Sequence, residues 1–165
     1  MSVSEIIRAV RALGPRLVEV TGGEPLAQEE TRDLLFALCD AGFEVMLETS
    51  GAFPIDDVDS RVRIVMDIKC PGSGMADRMH PGNLAALSSD RCEVKFVIVS
   101  KEDFEWASRL SKKHSLASRA GLLVSPAHGL VTLEDLADWI LLSSLPMRLQ
   151  PQLHRLIWPG QEGER

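Results

Sequence analysis

The run Gly22-Gly23-Glu24-Pro25 combines a flexible turn with a carboxylate. It directly follows residues 17–21, an apolar stretch with the composition of a β-strand. Glycine adopts backbone dihedrals that other residues avoid and lets the main chain approach a ligand closely. Glu24 adds a negative charge beside that main chain, which suits an ammonium group. The same four residues would also make an ordinary strand-to-helix turn, so the motif alone leaves both interpretations open.

Polar residues, small residues and prolines recur where other predicted strands end. In a parallel βα architecture the carboxyl ends of the strands meet at one edge, where ligands bind. We call this edge the rim. The segments predicted to form it are residues 21–25, 48–51, 67–71, 125–129 and 150–155.

The elements that position the rim follow from hydrophobic periodicity. Ser2 and Glu5 form a capping box at the start of an amphipathic helix. Strands then alternate with helices, which predicts a single α/β domain with a parallel sheet over residues 1–158 and a polar tail over 159–165. The predicted strands are 17–21, 43–49, 62–68, 93–99, 121–124 and 147–150, and the later helices are 28–40, 83–87, 102–114 and 132–142.

The bulk properties exclude several classes of function. The chain has 165 residues and a formal net charge of −6, which disfavours direct binding to nucleic acid. No apolar run approaches the roughly 20 residues that span a bilayer, so no membrane association is expected. Three widely spaced cysteines and the lack of a secretory signal favour a reducing cytoplasm.

Several segments together resemble the radical S-adenosylmethionine (SAM) enzymes, and among them the 7-carboxy-7-deazaguanine synthases of queuosine biosynthesis, a pathway of tRNA modification. The likeness extends from the first helix to about Trp158 and implies a partial (β/α)6 barrel. The segments that carry it are Thr-Gly-Gly-Glu-Pro at 21–25, Glu-Thr-Ser-Gly at 48–51, Asp-Ile-Lys at 67–69, the strand of Lys95, Ser-Pro-Ala-His-Gly at 125–129 and Gln-Leu-His-Arg at 152–155.

This resemblance implies a SAM site along the rim and a small-molecule pterin as substrate. Enzymes of this kind are lyases that cleave SAM reductively at a [4Fe-4S] cluster and contract the ring of 6-carboxytetrahydropterin with the help of Mg²⁺. Thr21 would contact the pterin. The residues that would contact SAM are Gly22, Gly23, Glu24, Asp67, Ile68, Lys69, Ser125, Pro126, Ala127 and His128.

The cysteines depart from the family pattern. The family binds its cluster through Cys-x₃-Cys-x₂-Cys on a loop after its first strand, whereas Cys39, Cys70 and Cys92 lie too far apart for such a loop. We therefore assign no catalytic residue and no metal ligand, and expect the first βα unit to be missing and the chain as given to be inactive. It would be either a fragment of a synthase or a shortened relative without radical chemistry.

Two other functions stay open at this point. One is a degenerate barrel that binds SAM or a partner protein without catalysis, and the other is a relative of the enzymes that activate glycyl-radical proteins. Without a preceding strand, residues 17–21 would form an unpaired sheet edge. Such an edge would be covered by the terminus or would pair with another chain, as in a homodimer.

Overall fold

The computed structural model describes residues 1–88 and 90–158, except for the side chain of His154. The predicted polar tail, residues 159–165, lies outside the described residues. The strands are β1 (Leu17–Val20), β2 (Glu44–Thr49), β3 (Arg63–Asp67), β4 (Cys92–Ile98), β5 (Gly121–Pro126) and β6 (Met147–Leu149), and the helices are α1 (Val3–Leu13), α2 (Thr31–Asp40), α3 (Asn83–Ala86), α4 (Lys101–Lys113), α5 (Leu133–Ser143) and α6 (Leu153–Ile157).

The six strands form one parallel sheet in the order β1-β2-β3-β4-β5-β6. Each strand therefore pairs with its neighbours along the chain, and the intervening segments cross back over the sheet. The predicted α/β class with a parallel sheet is confirmed. The carboxyl ends of the strands meet at one edge, so the predicted rim exists as a structural feature.

Two stretches differ from the sequence-based prediction. Residues 25–27 form a short 3₁₀ helix that Glu24 caps, and Gln28 then adopts an extended conformation. Helix α2 consequently begins at Thr31, whose hydroxyl donates a hydrogen bond to the Pro25 carbonyl at 2.6 Å. Helix α6 was not predicted, because its five residues are too few to show a periodic pattern.

The core lies on the sheet face that the helices cover. Alternate residues of a strand point to opposite faces, and on this face they are almost completely buried. Helices α2, α4 and α5 cover them with buried side chains of their own. Strand residues of the core include Val45, Leu47, Ile64, Met66, Val94, Phe96, Ile98, Leu122 and Val124, and the helices contribute Leu35, Leu38, Phe104, Ala107 and Leu136.

The opposite face of the sheet, which we call the open face, has a different composition. Val65 and Leu123 are buried there, yet neither belongs to the main core cluster. The remaining residues are largely charged and half-buried. By strand alternation the open face includes Glu19, Met46, Glu48, Arg63, Val65, Asp67, Glu93, Lys95, Val97, Gly121, Leu123, Ser125 and Arg148.

Strand β1 lies at one end of the sheet and pairs only with β2 among the described residues. In a parallel ladder, alternate residues of an edge strand direct their backbone groups away from the neighbouring strand. The expected exposed edge is therefore present. Its pairing with a second copy of the chain stays a prediction. Within the described part of the chain, no helix has the length and apolar character needed to cross a bilayer.

Leu47 is completely buried, at 0% exposure, so its truncation should destabilise the fold. Leu47→Ala should lower the free energy of unfolding by about 2–5 kcal/mol, because it removes a close-packed side chain and leaves a cavity. Leu142→Ala is the matched control, since Leu142 is 83% exposed and should change stability by less than about 0.5 kcal/mol. Urea unfolding followed by circular dichroism measures both. Equal effects of the two substitutions would contradict the assignment of the core.

Candidate functional site

The Glu24 carboxylate joins the turn after β1 to the end of β2. Its Oε1 accepts hydrogen bonds from the Leu26 amide at 3.1 Å and from the Thr49 hydroxyl at 2.8 Å. Its Oε2 accepts from the Ser50 amide at 2.8 Å and from the Ser50 hydroxyl. A carboxylate offers about four lone-pair positions, so the protein itself occupies them. Glu24 thus places a negative charge at the rim while its oxygens hold two strand ends together.

The two glycines before Glu24 have backbone conformations that other residues rarely adopt. Gly22 has φ 99° and Gly23 has φ 57°, and a Cβ added at either position would meet no atom within 4 Å. Glycine is therefore needed here for its dihedrals and not for space. Both residues are exposed. The predicted ammonium site at Gly22–Glu24 consists of accessible main chain beside a carboxylate that is fixed in place.

The loop after β2 is held by one buried side chain. Asn83, which is 1% exposed, donates hydrogen bonds from Nδ2 to the carbonyls of Gly51 at 2.8 Å and Phe53 at 2.9 Å. Its Oδ1 accepts from the Ile55 amide at 3.2 Å. The first turn of α3 thereby fixes the loop that carries the Ser50 contacts to Glu24. Sequence reasoning missed Asn83, because nothing in the local pattern distinguishes it from an ordinary helix-start residue.

The Asp-Ile-Lys segment follows β3 and presents two charged side chains. Asp67 Oδ2 pairs with Lys69 Nζ at 2.6 Å, whereas Asp67 Oδ1 is buried and has no hydrogen-bond partner among the described residues. Ile68 is 1% exposed and belongs to the core, so only its main chain faces the rim. An unsatisfied buried carboxylate oxygen is costly unless a donor reaches it. Asp67 Oδ1 is therefore an unused hydrogen-bond acceptor beside the rim.

A charged cluster lies on the open face directly below the rim. Lys95 Nζ reaches Glu48 Oε1 at 2.7 Å, across the intervening strand β3. Glu19 of β1 lies close by, and partial burial raises the pKa of its carboxyl, with further contribution from the Glu48 charge. The Lys95 ammonium group is therefore partnered by a carboxylate on the open face of the sheet.

The end of β5 and the two residues after it lie on the far side of the rim. Ser125 is buried, Pro126 and Ala127 are half-buried, and His128 is exposed. The Ala127 amide donates to the Ile98 carbonyl at 2.8 Å, which continues the β4–β5 pairing. Strands β2, β3 and β4 separate this segment from the glycine turn. The glycine turn is linked directly to residues 49–50 through the hydrogen bonds of Glu24. Residues 125–128 lie on the same edge of the sheet without contacting that turn. A ligand that contacts both segments must therefore extend along the rim.

The cysteines do not form a site for an iron–sulfur cluster. Cys70 and Cys92 are buried and Cys39 is half-buried on α2. Burial raises the pKa of the Cys70 thiol to about 12, with repulsion from the Asp103 and Asp67 carboxylates adding to the rise. A cluster needs thiolates that converge on one point. No three His, Cys, Asp or Glu side chains converge as a metal site in the described ranges.

Comparison with curated proteins finds relatives over almost the whole chain. A 7-carboxy-7-deazaguanine synthase from Chlorobaculum tepidum is 41% identical over 160 residues, which cover 96% of this chain and 73% of the relative. A protein of the same name from Koribacter versatilis is 39% identical over 173 residues, covering 96% of this chain and 76% of the relative. No protein-family model matches the chain. The chain thus spans about three quarters of the length of these relatives.

Solved structures share the fold. QueE from Escherichia coli superposes with a TM-score of 0.71 at 20% identity, covering 92% of this chain and 64% of QueE. Streptococcus suis SuiB bound to S-adenosylmethionine gives a TM-score of 0.63 at 13% identity, covering 99% of this chain and 47% of SuiB. At these identities the two structures support the architecture alone.

The burial of Cys70 predicts that its thiol reacts much more slowly in the folded protein than in the unfolded protein. Because burial raises the pKa of the Cys70 thiol to about 12, little of it is ionised at pH 8, and the thiolate is the form that reacts with alkylating agents. Native protein treated with iodoacetamide should therefore retain an unmodified Cys70, and unfolding in urea should make all three cysteines reactive. Peptide mapping by mass spectrometry gives the modification of each site. Alkylation of Cys70 at equal rates in native and unfolded protein would contradict the described burial.

Proposed function

Because the chain belongs to the 7-carboxy-7-deazaguanine synthase family, we propose that its rim binds S-adenosylmethionine and that its open face receives a pterin. The observation that carries this proposal is the Glu24 network, which fixes a negative charge beside two exposed glycines. A methionine ammonium group needs hydrogen-bond acceptors and negative charge together. The exposed main chain of Gly22 and Gly23 supplies the acceptors, and Glu24 supplies the charge.

The rest of the SAM molecule would extend along the strand ends. Asp67 supports this placement, because its Oδ1 lacks a partner among the described residues. A ribose hydroxyl is a donor of the kind that such an oxygen accepts. Lys69 neutralises the second oxygen of Asp67 at 2.6 Å and keeps that carboxylate in place. Ser125, Pro126, Ala127 and His128 would contact the distant end of the ligand.

The pterin would lie on the open face below SAM. Its 2-amino-4-oxo edge carries donors and acceptors side by side, and the Glu48–Lys95 pair offers one acceptor group and one donor group at the same place. Both side chains are partly accessible, at 28% and 21% exposure. Thr21 is exposed at the end of β1 and would contact the same ligand from the edge of the site.

The residues of this chain do not fit a [4Fe-4S] cluster, and we derive no chemical step through one. Reductive cleavage of a sulfonium needs an electron donor, which in these enzymes is the cluster. The buried and separated cysteines of this chain cannot ligate one. The described residues likewise offer no ready-made Mg²⁺ site. We propose that the chain as given binds SAM and the pterin without cleaving SAM. Ring contraction would require cluster ligands that this sequence does not contain.

A working synthase is the second candidate function, supported by the name that the relatives carry. The cysteine placement favours the barrel that only binds. The two candidates share the SAM site and differ in chemistry. The relatives reported above carry the synthase name, so the glycyl-radical alternative is not favoured. A cytoplasmic location and a homodimer formed through β1 remain proposals, supported by the spacing of the cysteines and by the unpaired edge of the sheet.

Calorimetry tests the SAM site. The chain should bind SAM, and Asp67→Asn should weaken binding at least about tenfold, because a hydrogen bond to a charged group contributes roughly 1.5–3 kcal/mol. Asp138→Asn is the matched control, since Asp138 is exposed on α5 and far from the rim. It should leave the affinity unchanged. A chain that folds but shows no heat of binding with SAM would refute the site.

Product analysis tests the inactivity. Purified chain reconstituted with iron and sulfide, reduced with dithionite and supplied with SAM should release no 5′-deoxyadenosine above the protein-free background, because no set of thiolates converges on a cluster. Absorbance near 400 nm after desalting reports on cluster incorporation independently. Release of deoxyadenosine that depends on the protein would overturn the binding-only proposal and favour the enzyme.

A further inference from the structure

A cavity lies on the open face at the opposite end of the sheet from the rim. Its volume is about 430 Å³. Its walls come from the first residues of β3, β4 and β5, and none of the predicted SAM contacts lines it. Its lining includes Met46 of β2, Arg63 and Val65 of β3, Glu93 of β4, Gly121 of β5 and Arg148 of β6.

Arginines dominate the charge of this cavity. Arg63, Arg91 and Arg148 line it together with Asp90 and Glu93, which leaves a net positive charge in a chain whose formal charge is −6. The positive charge of the cavity therefore attracts an anion, whereas the negative net charge of the whole chain repels it.

The arginines differ in how much of their hydrogen-bonding capacity is in use. The Arg91 guanidinium donates hydrogen bonds to the carbonyls of Val58 and Asp59, so it is held in place as part of the cavity wall. Arg148 Nη2 pairs with Glu93 Oε1 at 2.7 Å, which neutralises that carboxylate. The Arg63 side chain is exposed and makes no hydrogen bond or ion pair with any residue in the part of the chain that the structure describes. Its planar fork of donors matches the two oxygens of a carboxylate or phosphate.

Gly121 lies on the floor of the cavity, beside the Glu93 side chain. It is the first residue of β5, and its φ lies outside the left-handed region that favours glycine. Its backbone conformation therefore does not require glycine. A Cβ at this position would lie 3.3 Å from both Cγ and Oε1 of Glu93. Glycine at this position therefore leaves room for the Glu93 side chain and keeps the Glu93–Arg148 pair in place.

We propose that this cavity is a binding site for a small oxyanion, a molecule that bears a carboxylate or a phosphate. Arg63 holds the anionic group through its free donors. The neutralised Glu93–Arg148 pair and the main chain at Gly121 form the floor, and Met46 and Val65 give an apolar wall for the body of the ligand. The site is separate from the rim and does not depend on SAM binding there.

Titrations followed by ¹⁵N–¹H NMR test the site, with inorganic phosphate and benzoate as the two probes. At least one should bind with a Kd at or below about 1 mM, and the amide shifts should concentrate at Cys92, Glu93 and Gly121. A response to phosphate alone identifies a phosphate site, and a response to benzoate alone identifies a carboxylate site. Absence of saturation by either probe, or shifts centred on residues 22–24, would overturn the proposal.

Variants assign the contact to Arg63. Arg63→Gln should weaken binding of the responding probe about tenfold or more, because it removes a charge-assisted bidentate contact. Arg63→Lys should be intermediate, since it keeps the charge and loses the fork. Arg8→Gln on α1 is the control, because Arg8 is exposed and outside the cavity, and it should have no effect. Equal affinity in Arg63→Gln and Arg8→Gln would assign the binding to general surface charge and refute the site.

Discussion

The bridge from Glu24 to the end of β2 is the interaction on which the rim depends. A glycine pair with positive φ has little conformational preference of its own, so the turn after β1 needs an external restraint. Glu24 supplies it by accepting hydrogen bonds from Leu26, Thr49 and Ser50. Asn83 in turn fixes the loop that follows Ser50. The turn is thus held by a chain of contacts that begins in α3 and crosses two strand ends.

Charge on the open face follows a repeated arrangement. Lys95 on β4 reaches Glu48 on β2 across Val65, and Arg148 on β6 reaches Glu93 on β4 across the strand that begins at Gly121. Both pairs are 2.7 Å long, and each spans one intervening strand. The open face therefore presents two polar platforms, one below the rim and one at the opposite end of the sheet. Buried Val65 and Leu123 provide the apolar surface between them.

Much of the fold follows from local sequence patterns. Helix α1 and strands β2 and β4 could be predicted from local patterns. The signals are the capping box of Ser2 and Glu5, the alternation of Val45, Leu47 and Thr49, and the alternating strand that contains Lys95. The start of α2 could not be predicted in this way, since Pro25 and the Glu24 cap divert residues 25–27 into a 3₁₀ turn and Gln28 is extended before the helix begins. The partners of Glu24 and Arg148 also escape local patterns, because they lie 25 and 55 residues away along the chain.

The strand order has a consequence for how the chain folds. Because β1 to β6 are arranged in the sheet in the order of their synthesis, each new strand finds its partner already present on the preceding one. Folding can then advance from the amino terminus as a series of short loop closures, without waiting for a distant strand. A growing chain on the ribosome could extend this sheet one βα unit at a time, with its newest strand always at the free edge.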